Sequence, residues 1–266
     1  MRPYIIIEKP VGITPLQAIE THLISNPAEA QLPHTYAGRL DPMASGKLLV
    51  LIGDECKKRT RYDGLDKEYE FELLLNVATD TGDVLGIPQP FVHAEKPGEE
   101  KITEVLKSLR GKHTLPYPAF SSKTVQGIPL FEYALKGTLD AIERPVKKIR
   151  IYKMEYLGGR IIEREELIEK ILAKISLLSV PVQSTRIGSD FRKKEIDACW
   201  KKFHTADKLV ILKFKATVSA GTYIRTLAPL IAERLGTIGL AYSIHRSRIG
   251  RYQPLFIISG FWSKIF

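Results

Sequence analysis

Asp41 is the one acidic residue in YAGRLDPMASG, residues 36–46, and it stands in a chain with 40 Lys and Arg against 30 Asp and Glu. A carboxylate so placed can do either of two things. Gly38 and Gly46 permit close backbone approach by a ligand, and Pro42 stiffens the loop directly behind the acid, which suits a group that acts on a bound molecule. An aspartate ahead of a turn can equally cap the segment that follows it. Local chemistry leaves both readings open, and other reactive groupings are few. The chain contains no GxxxxGK[ST] phosphate loop, no GxSxG nucleophile elbow and no HExxH helix. His22, His34, His93, His113, His204 and His245 are scattered and read as surface or loop residues. Cys56 and Cys199 have no CxxC partner and no histidine at a ligand spacing. Neither a zinc site nor a disulfide framework is expected, and a reducing cytoplasm is the natural compartment.

Composition narrows the partner. The 266 residues are 44% hydrophobic, enough for one large domain or one domain with a small second lobe. A formal charge of +10 favours a polyanion as partner over an acidic protein or a membrane. The N-terminal MRPYIIIEKP has an apolar run too short for a signal peptide, and LLVLI at 48–52 falls well short of a membrane span.

The elements that must hold these residues alternate between strand and helix patterns. YIIIE at 4–8 reads as a buried strand, and 14–25 as a helix with Thr14 as N-cap and Pro15 in its first turn. KLLVLIG, 47–53, reads as a strand. In EYEFELLLNV, 68–77, period-two alternation puts Tyr69, Phe71, Leu73, Leu75 and Val77 on one strand face. Residues 101–111 read as a helix closed by Gly111, 113–127 as a loop with two prolines, and 129–137 as a helix ended by Gly137. A strand at 144–157 and a charged amphipathic helix at 163–176 follow. The polar stretch 180–208, with Arg192, Lys193, Lys194, Lys201 and Lys202, fits no element firmly. At 208–219, Phe214, Ala216 and Val218 alternate with Lys213, Lys215 and Thr217, a strand with one solvated face. Residues 222–236 read as a helix bent by Pro229, and YSIHRSRIGRY, 242–252, as a basic strand. This order fits a mixed sheet with helices packed on it.

Six blocks occur in register: KPVGITP (9–15), YAGRLDPMASGKLLVLIG (36–53), DKEYEFELLLNVATDTGDVLG (66–86), PAFSSKTVQGIPLFEYALKG (118–137), SAGTYIRTLAPLIAERLG (219–236) and HRSRIGRY (245–252). Together they resemble the TruB family, bacterial tRNA pseudouridine synthases that modify uridine-55 of the T arm. The resemblance implies the pseudouridine synthase fold over 1–252, an α+β fold with a mixed, largely antiparallel central sheet and flanking helices. It makes Asp41 the essential aspartate, which attacks the target nucleoside or promotes glycal formation before the uracil is reattached through carbon. Tyr69 then matches the tyrosine that stacks on the flipped base, and Arg225 the arginine that pairs with the aspartate. Tyr223 matches a base-contacting neighbour, and Ile244 an apolar residue of the uracil pocket. It further implies no metal and no organic cofactor, the tRNA T-arm stem-loop as partner, and a monomer.

The assignments agree with elementary chemistry. A neighbouring guanidinium favours the ionised form of a buried carboxylate and fixes its orientation. Taking a uridine out of folded RNA costs stacking, which an aromatic on a rigid strand replaces. Without the resemblance, Tyr69 would equally describe a core tyrosine and Arg225 a surface helix arginine. Lys123, Arg246 and Arg248 are candidates for neutralising RNA phosphates.

Three features depart from the pattern. Tyr36 stands where the family usually has a histidine, and Arg39 where it usually has a small residue, giving the RLD spelling commoner in RluA-like and RsuA-like synthases. Residues 157–208 match no block and read as an insertion that supplies RNA contacts. The tail, 253–266, is too short for the RNA-binding PUA domain and is expected to pack as a terminal apolar strand or cap. Two rivals remain. An RluA-like or RsuA-like enzyme acting on ribosomal RNA is disfavoured by GTYIRTLAPLIAERLG and by the lack of room for an S4 domain before the first block. A non-catalytic tRNA-binding or RNA-folding chaperone is disfavoured by Asp41, Tyr69 and Arg225 standing together.

Overall fold

The computed structural model describes residues 2–91, 96–180, 188–255 and 260–266. His93, residues 181–187 of the polar stretch and 256–259 of the tail lie outside the described residues.

The first half holds β1 (Tyr4–Lys9), α1 (Pro15–Ser25), β2 (His34–Ala37), β3 (Ala44–Ile52), the short α2 (Thr60–Asp63), β4 (Asp66–Leu75), β5 (Val77–Thr79) and β6 (Pro88–Pro90). Next come α3 (Glu99–Ser108), β7 (Gly111–Pro116), β8 (Thr124–Val125), β9 (Ile128–Pro129), α4 (Leu130–Leu135) and β10 (Val146–Glu163). The last part holds α5 (Arg164–Ser176), α6 (Lys193–Lys201), β11 (Lys208–Val218), α7 (Ile224–Arg234), β12 (Gly239–Pro254) and β13 (Gly260–Ile265). The main sheet runs β1-β3-β12-β4-β11-β10-β7, with β2 on β3 and β13 on β12. Every pairing in it is antiparallel except β3 with β12, where Ala44, Ser45 and Gly46 run parallel to Ile244, His245 and Arg246. The expected mixed, largely antiparallel sheet with flanking helices is what forms.

Local chemistry explains the element ends. Thr14 and Gln17 close a capping box, each side chain bonded to the other residue's backbone, and Pro15 takes the first helical position. Asn76, at φ 65, breaks the long strand pattern after Leu75, so Val77 opens a separate strand. Gly111 does not close a helix: α3 ends at Ser108, and the glycine, at φ +110, starts β7. The stretch read as a loop from 113 is therefore a strand to Pro116, and further on its Thr124–Val125 pairs with Ile128–Pro129 in a short hairpin.

Both faces of the sheet are covered, which the alternation of β4 only half reveals. Tyr69, Phe71, Leu73 and Leu75 join Phe214, Ala216 and Val218 beneath α3 and α7, where Ile102, Leu109, Leu227 and Ile231 complete a core. Leu74, Ile211 and Leu240 pack on the opposite face against Leu167, Ile171 and Ile175 of α5 and Ile196 and Trp200 of α6. A strand buried on both sides reads as a continuous apolar run, as in Leu73-Leu74-Leu75. Helices α5 and α6, both from within 157–208, thus build a layer over the second face. Trp200 is fully buried there, with its indole N–H donating to the Val84 carbonyl at 3.1 Å. The tail pairs as a strand, β13 lying antiparallel to Gly250–Pro254. Among the described residues no helix is long and apolar enough to cross a membrane.

Candidate active site

Asp41 sits in the loop from β2 to β3, and four buried contacts hold that loop. Gly12 donates its N–H to the Pro42 carbonyl at 2.8 Å. The Lys9 ammonium, fully buried, donates to the carbonyls of Pro10, Ile13 and Pro42 at 2.7, 2.8 and 3.4 Å. Arg246 donates to the carbonyls of Lys47, Arg39 and Gly38 at 2.7, 3.3 and 3.0 Å. Gly46 lets β12 approach: a Cβ there would lie 2.4 Å from the Arg246 carbonyl oxygen, at a φ of +107 that favours glycine. Backbone, not ligand, takes up that freedom. Gly38 does border open space, with Lys67 beside it.

The Asp41 side chain does not cap the turn after it. Its carbonyl accepts the Ala44 N–H at 3.0 Å, while its carboxylate Oδ2 accepts from Arg225 Nε at 2.7 Å. Arg225 enters from the first turn of α7, and the guanidinium also donates to the Thr81 carbonyl at 3.0 Å and the Phe120 carbonyl at 3.2 Å. A second acid, Asp83 Oδ2, lies 3.7 Å from Nε. Arg225 is therefore no surface arginine. Its side chain is 4% exposed and that of Asp83 6%, whereas Asp41 keeps 25%. Burial alone would lower the Arg225 pKa, but Asp41 and Asp83 together raise it. Burial pushes the Asp83 carboxyl up, against the pull of Arg225, and Asp41 adds to the rise. Asp83 is held by Thr81 Oγ1–H at 2.8 Å and the Leu85 N–H at 2.9 Å. Of the two acids facing one guanidinium, Asp41 is the one presented outward.

It is presented to a cleft of about 780 Å³ that also touches Tyr69, Tyr223 and Ile244. Both readings of Tyr69 hold: the ring is 7% exposed and belongs to the core, and it forms part of the cleft wall. Tyr223 meets Tyr117 edge-on at 5.7 Å, and burial, with Asp41 next, pushes its hydroxyl up to about 12. Arg39, Arg59, Lys67, Lys123, Lys147 and Arg246 line the cleft against only Asp41 and Asp63. Burial lowers Lys67 to about 8, and Arg246 lowers it further against Asp63 and Asp66. The arrangement can hold a nucleoside-sized ring against aromatic and aliphatic walls, a carboxylate at its edge, and a polyanion across the rim.

Residues 33–168 match the model of the TruB family pseudouridylate synthase (N terminal domain). The chain belongs to the TruB family. A relative named tRNA pseudouridine synthase B from Caldicellulosiruptor saccharolyticus is 28% identical over 254 residues, covering 94% of this chain and 68% of its own length. Another of that name, from Aromatoleum aromaticum, is 30% identical over 251 residues, covering 93% of this chain and 63% of its own. The chain thus spans about two thirds of these relatives. Its fold is that of a chain in the crystal structure of a Cbf5-Nop10-Gar1 complex, with TM-score 0.54 at 19% identity, covering 93% of this chain and 48% of that one.

In this TruB family member the structure brings Asp41, Tyr69, Tyr223 and Ile244 to one cleft, with Arg225 behind Asp41. Tyr36 does not line the cleft. Its hydroxyl accepts from Arg39 Nη2 at 3.0 Å, and the guanidinium carbons of Arg39 and Arg59 lie 5.9 and 5.6 Å from its ring centroid. It props two arginines that do line the cleft. Among the phosphate candidates Lys123 lines the cleft, 5.8 Å over Tyr117. Arg246 is corrected: it is fully buried and spends its guanidinium on three carbonyls, so it fastens the Asp41 loop. Arg248 stands off the cleft wall and pairs with Glu68 at 3.5 Å. Sequence reasoning passed over Asp83 in TDTGD, Lys67 two residues before Tyr69, and Lys9 in KPVG. Linear signal for them was slight: Asp83 meets Arg225 from over a hundred residues away, and Lys9 and Lys67 spend their ammonium groups on backbone carbonyls.

Proposed function

We propose that the chain isomerises uridine-55 in the T arm of tRNA to pseudouridine, with Asp41 as the catalytic residue. The observation that carries the reading is the meeting of an outward carboxylate, anchored by a buried arginine, with an aromatic wall and a cationic rim in one cleft. The target uridine enters flipped out of its stack, with Tyr69 and Ile244 against the ring. Asp41, held in place by Arg225 Nε, acts on the ribose side of the glycosidic bond as nucleophile or as the base for glycal formation. The C1′–N1 bond breaks, C1′ rejoins the ring at C5, the C5 proton leaves and the freed N1 takes up a proton, so the product is an isomer of the substrate. Lys123 and Lys147 neutralise phosphates on either side, and Lys67, nearly buried and donating to the Asp63 and Leu65 carbonyls, adds its charge from the cleft wall. The relatives named tRNA pseudouridine synthase B, aligned over most of the chain, support tRNA as the RNA.

Incubation of the protein with unmodified tRNA transcript, followed by mapping of pseudouridine, tests this. Product at the T-arm uridine that disappears with Asp41→Asn is expected. Tight binding without product from the wild type would favour an RNA chaperone, and product only on ribosomal RNA would favour the RluA-like or RsuA-like reading.

A further inference from the structure

Helix α2 is a single turn, Thr60–Asp63, with no side-chain cap at its start. So short a helix has no local means of holding its shape in water. Yet it carries one wall of the cleft: Arg59 precedes it, Asp63 ends it, and both line the cleft together with Gly38 and Lys67. Asp63 Oδ1 accepts the Gly38 N–H at 3.3 Å, and the Asp63 carbonyl accepts from Lys67 Nζ at 3.3 Å. Arg59 Nε lies 3.3 Å from Asp63 Oδ2, and the Arg59 guanidinium carbon lies 5.6 Å from the Tyr36 ring centroid. The turn therefore touches the Asp41 loop at Gly38 and Tyr36, and something outside it must keep it in place.

That support comes from the tail. Tyr62, within the turn, donates its hydroxyl to Glu55 Oε1 at 2.7 Å, and its ring lies 6.4 Å from that of Tyr4 and 5.8 Å from that of Phe266. Tyr4 and Phe266 meet edge-on at 5.1 Å. Edge-on rings fix orientation as well as contact. Phe266 is itself seated: its N–H donates to the Ile249 carbonyl at 2.9 Å, and Lys264 Nζ lies 4.4 Å from its ring centroid. Farther along β13, Trp262 meets Tyr252 of β12 edge-on at 5.4 Å. The three rings pack on Ala37, Leu49, Leu51, Leu65 and Ile249, so the cluster reaches β2 directly ahead of the Asp41 loop. We propose that β13 is a strap on the cleft wall, with Phe266 as a positioning residue that holds Tyr62 and, through it, Arg59 and Asp63. The Asp41 carboxylate stays tied to Arg225, and its loop to Lys9 and Arg246, independently of the tail. The strap thus governs how RNA is held rather than the bond-breaking step. Its effect on RNA rests on the reading that RNA fills the cleft, whereas its hold on α2 does not.

Hydrogen exchange on the full chain without RNA tests the hold on α2. In Phe266→Ala the amides of 59–64 and of Gly38 should exchange about tenfold faster, beyond any change at Phe71 and Phe214, and Phe266→Tyr should restore their protection. Should Phe266→Ala fail to fold, Phe266→Leu is read in the same way. On unmodified tRNA transcript, Phe266→Ala raises KM by about tenfold with kcat near wild type, and it lowers the slope of log affinity against log salt by about 1 as Arg59 loses its phosphate. Arg59→Met lowers the slope equally, and the two changes combined lower it no further. Exchange at 59–64 that matches the wild type overturns the strap, whatever the RNA assays give. Unchanged KM and salt slope in Phe266→Ala, on a transcript that the wild type modifies, overturn its part in holding RNA. A wild type that neither binds nor modifies the transcript, with exchange at 59–64 still faster in Phe266→Ala, overturns the functional reading and leaves the strap standing.

Discussion

Arg225→Met removes one guanidinium from between two carboxylates and two carbonyls. Unit charges about 4 Å apart attract by about 4 kcal/mol at an effective dielectric near 20. Arg225 has one such contact at 2.7 Å and another at 3.7 Å. Stripping the partner from a buried pair costs about 3–5 kcal/mol, because a charge is left desolvated and unmatched. Here that charge is chiefly Asp83, since Asp41 can still meet water. Against a total stability of roughly 5–15 kcal/mol the variant should fold but weakly. The pH dependence carries the sharper signature. The Asp83 carboxyl is already raised, and loss of Arg225 raises it further. A raised carboxyl contributes stability below its unfolded value and loses it as pH climbs through the folded value. The Arg225→Met penalty should therefore be largest at neutral pH and shrink as pH falls toward the ordinary carboxylate range, where Asp83 is neutral in both states. Urea unfolding of both proteins at pH 7 and pH 5 reads this directly. Turnover should drop by about 10²-fold, since Asp41 loses the contact that fixes its position. Adding Asp83→Asn to Arg225→Met should recover stability without recovering turnover. A penalty under about 1 kcal/mol at neutral pH, or one that grows on acidification, would refute the buried triad as a single electrostatic unit.

Four further outcomes follow from the structure. Lys67, lowered to about 8 and facing the cleft, should lose its charge as pH rises from 7 to 9, so tRNA affinity falls over that range in filter binding and Lys67→Arg flattens the curve. Its buried ammonium, like those of Lys9 and Lys174, costs stability below about 8, so the unfolding midpoint should rise between pH 8 and 9.5. Lys123→Ala should reduce the slope of log affinity against log salt by about 1 without changing which uridine is modified. Trp200→Ala should cost about 3–5 kcal/mol in denaturant unfolding by opening a cavity under α6, and a loss below about 1 kcal/mol would argue that this layer does not support the sheet.

Much of the scaffold was legible in the chain because it depends on neighbours. The period-two run of Tyr69, Phe71, Leu73 and Leu75 marked a central strand, and Thr14 with Pro15 marked a helix start. Gly111 misled, since a positive φ serves a strand entry as readily as a helix end. The stretch after 180 resisted assignment because α6 is short and strongly charged, and only Ile196 and Trp200 reveal its buried face once α5 lies alongside.

By itself the sequence determined the class of fold, the basic character of the chain and, through six ordered blocks, the family to which Asp41 belongs. Tertiary structure alone decided what Asp41 is joined to. Arg225 lies 184 residues away and Asp83 reaches the same guanidinium from a third loop. It likewise turned Arg246 from a candidate phosphate contact into a buried clasp on the Asp41 loop, and carried Arg192 from an unplaced polar stretch to a cavity at the carboxylate. The physical reason is range: strand and helix patterns arise from residues two to four apart, whereas the matching of buried charges depends on which segments the sheet brings together.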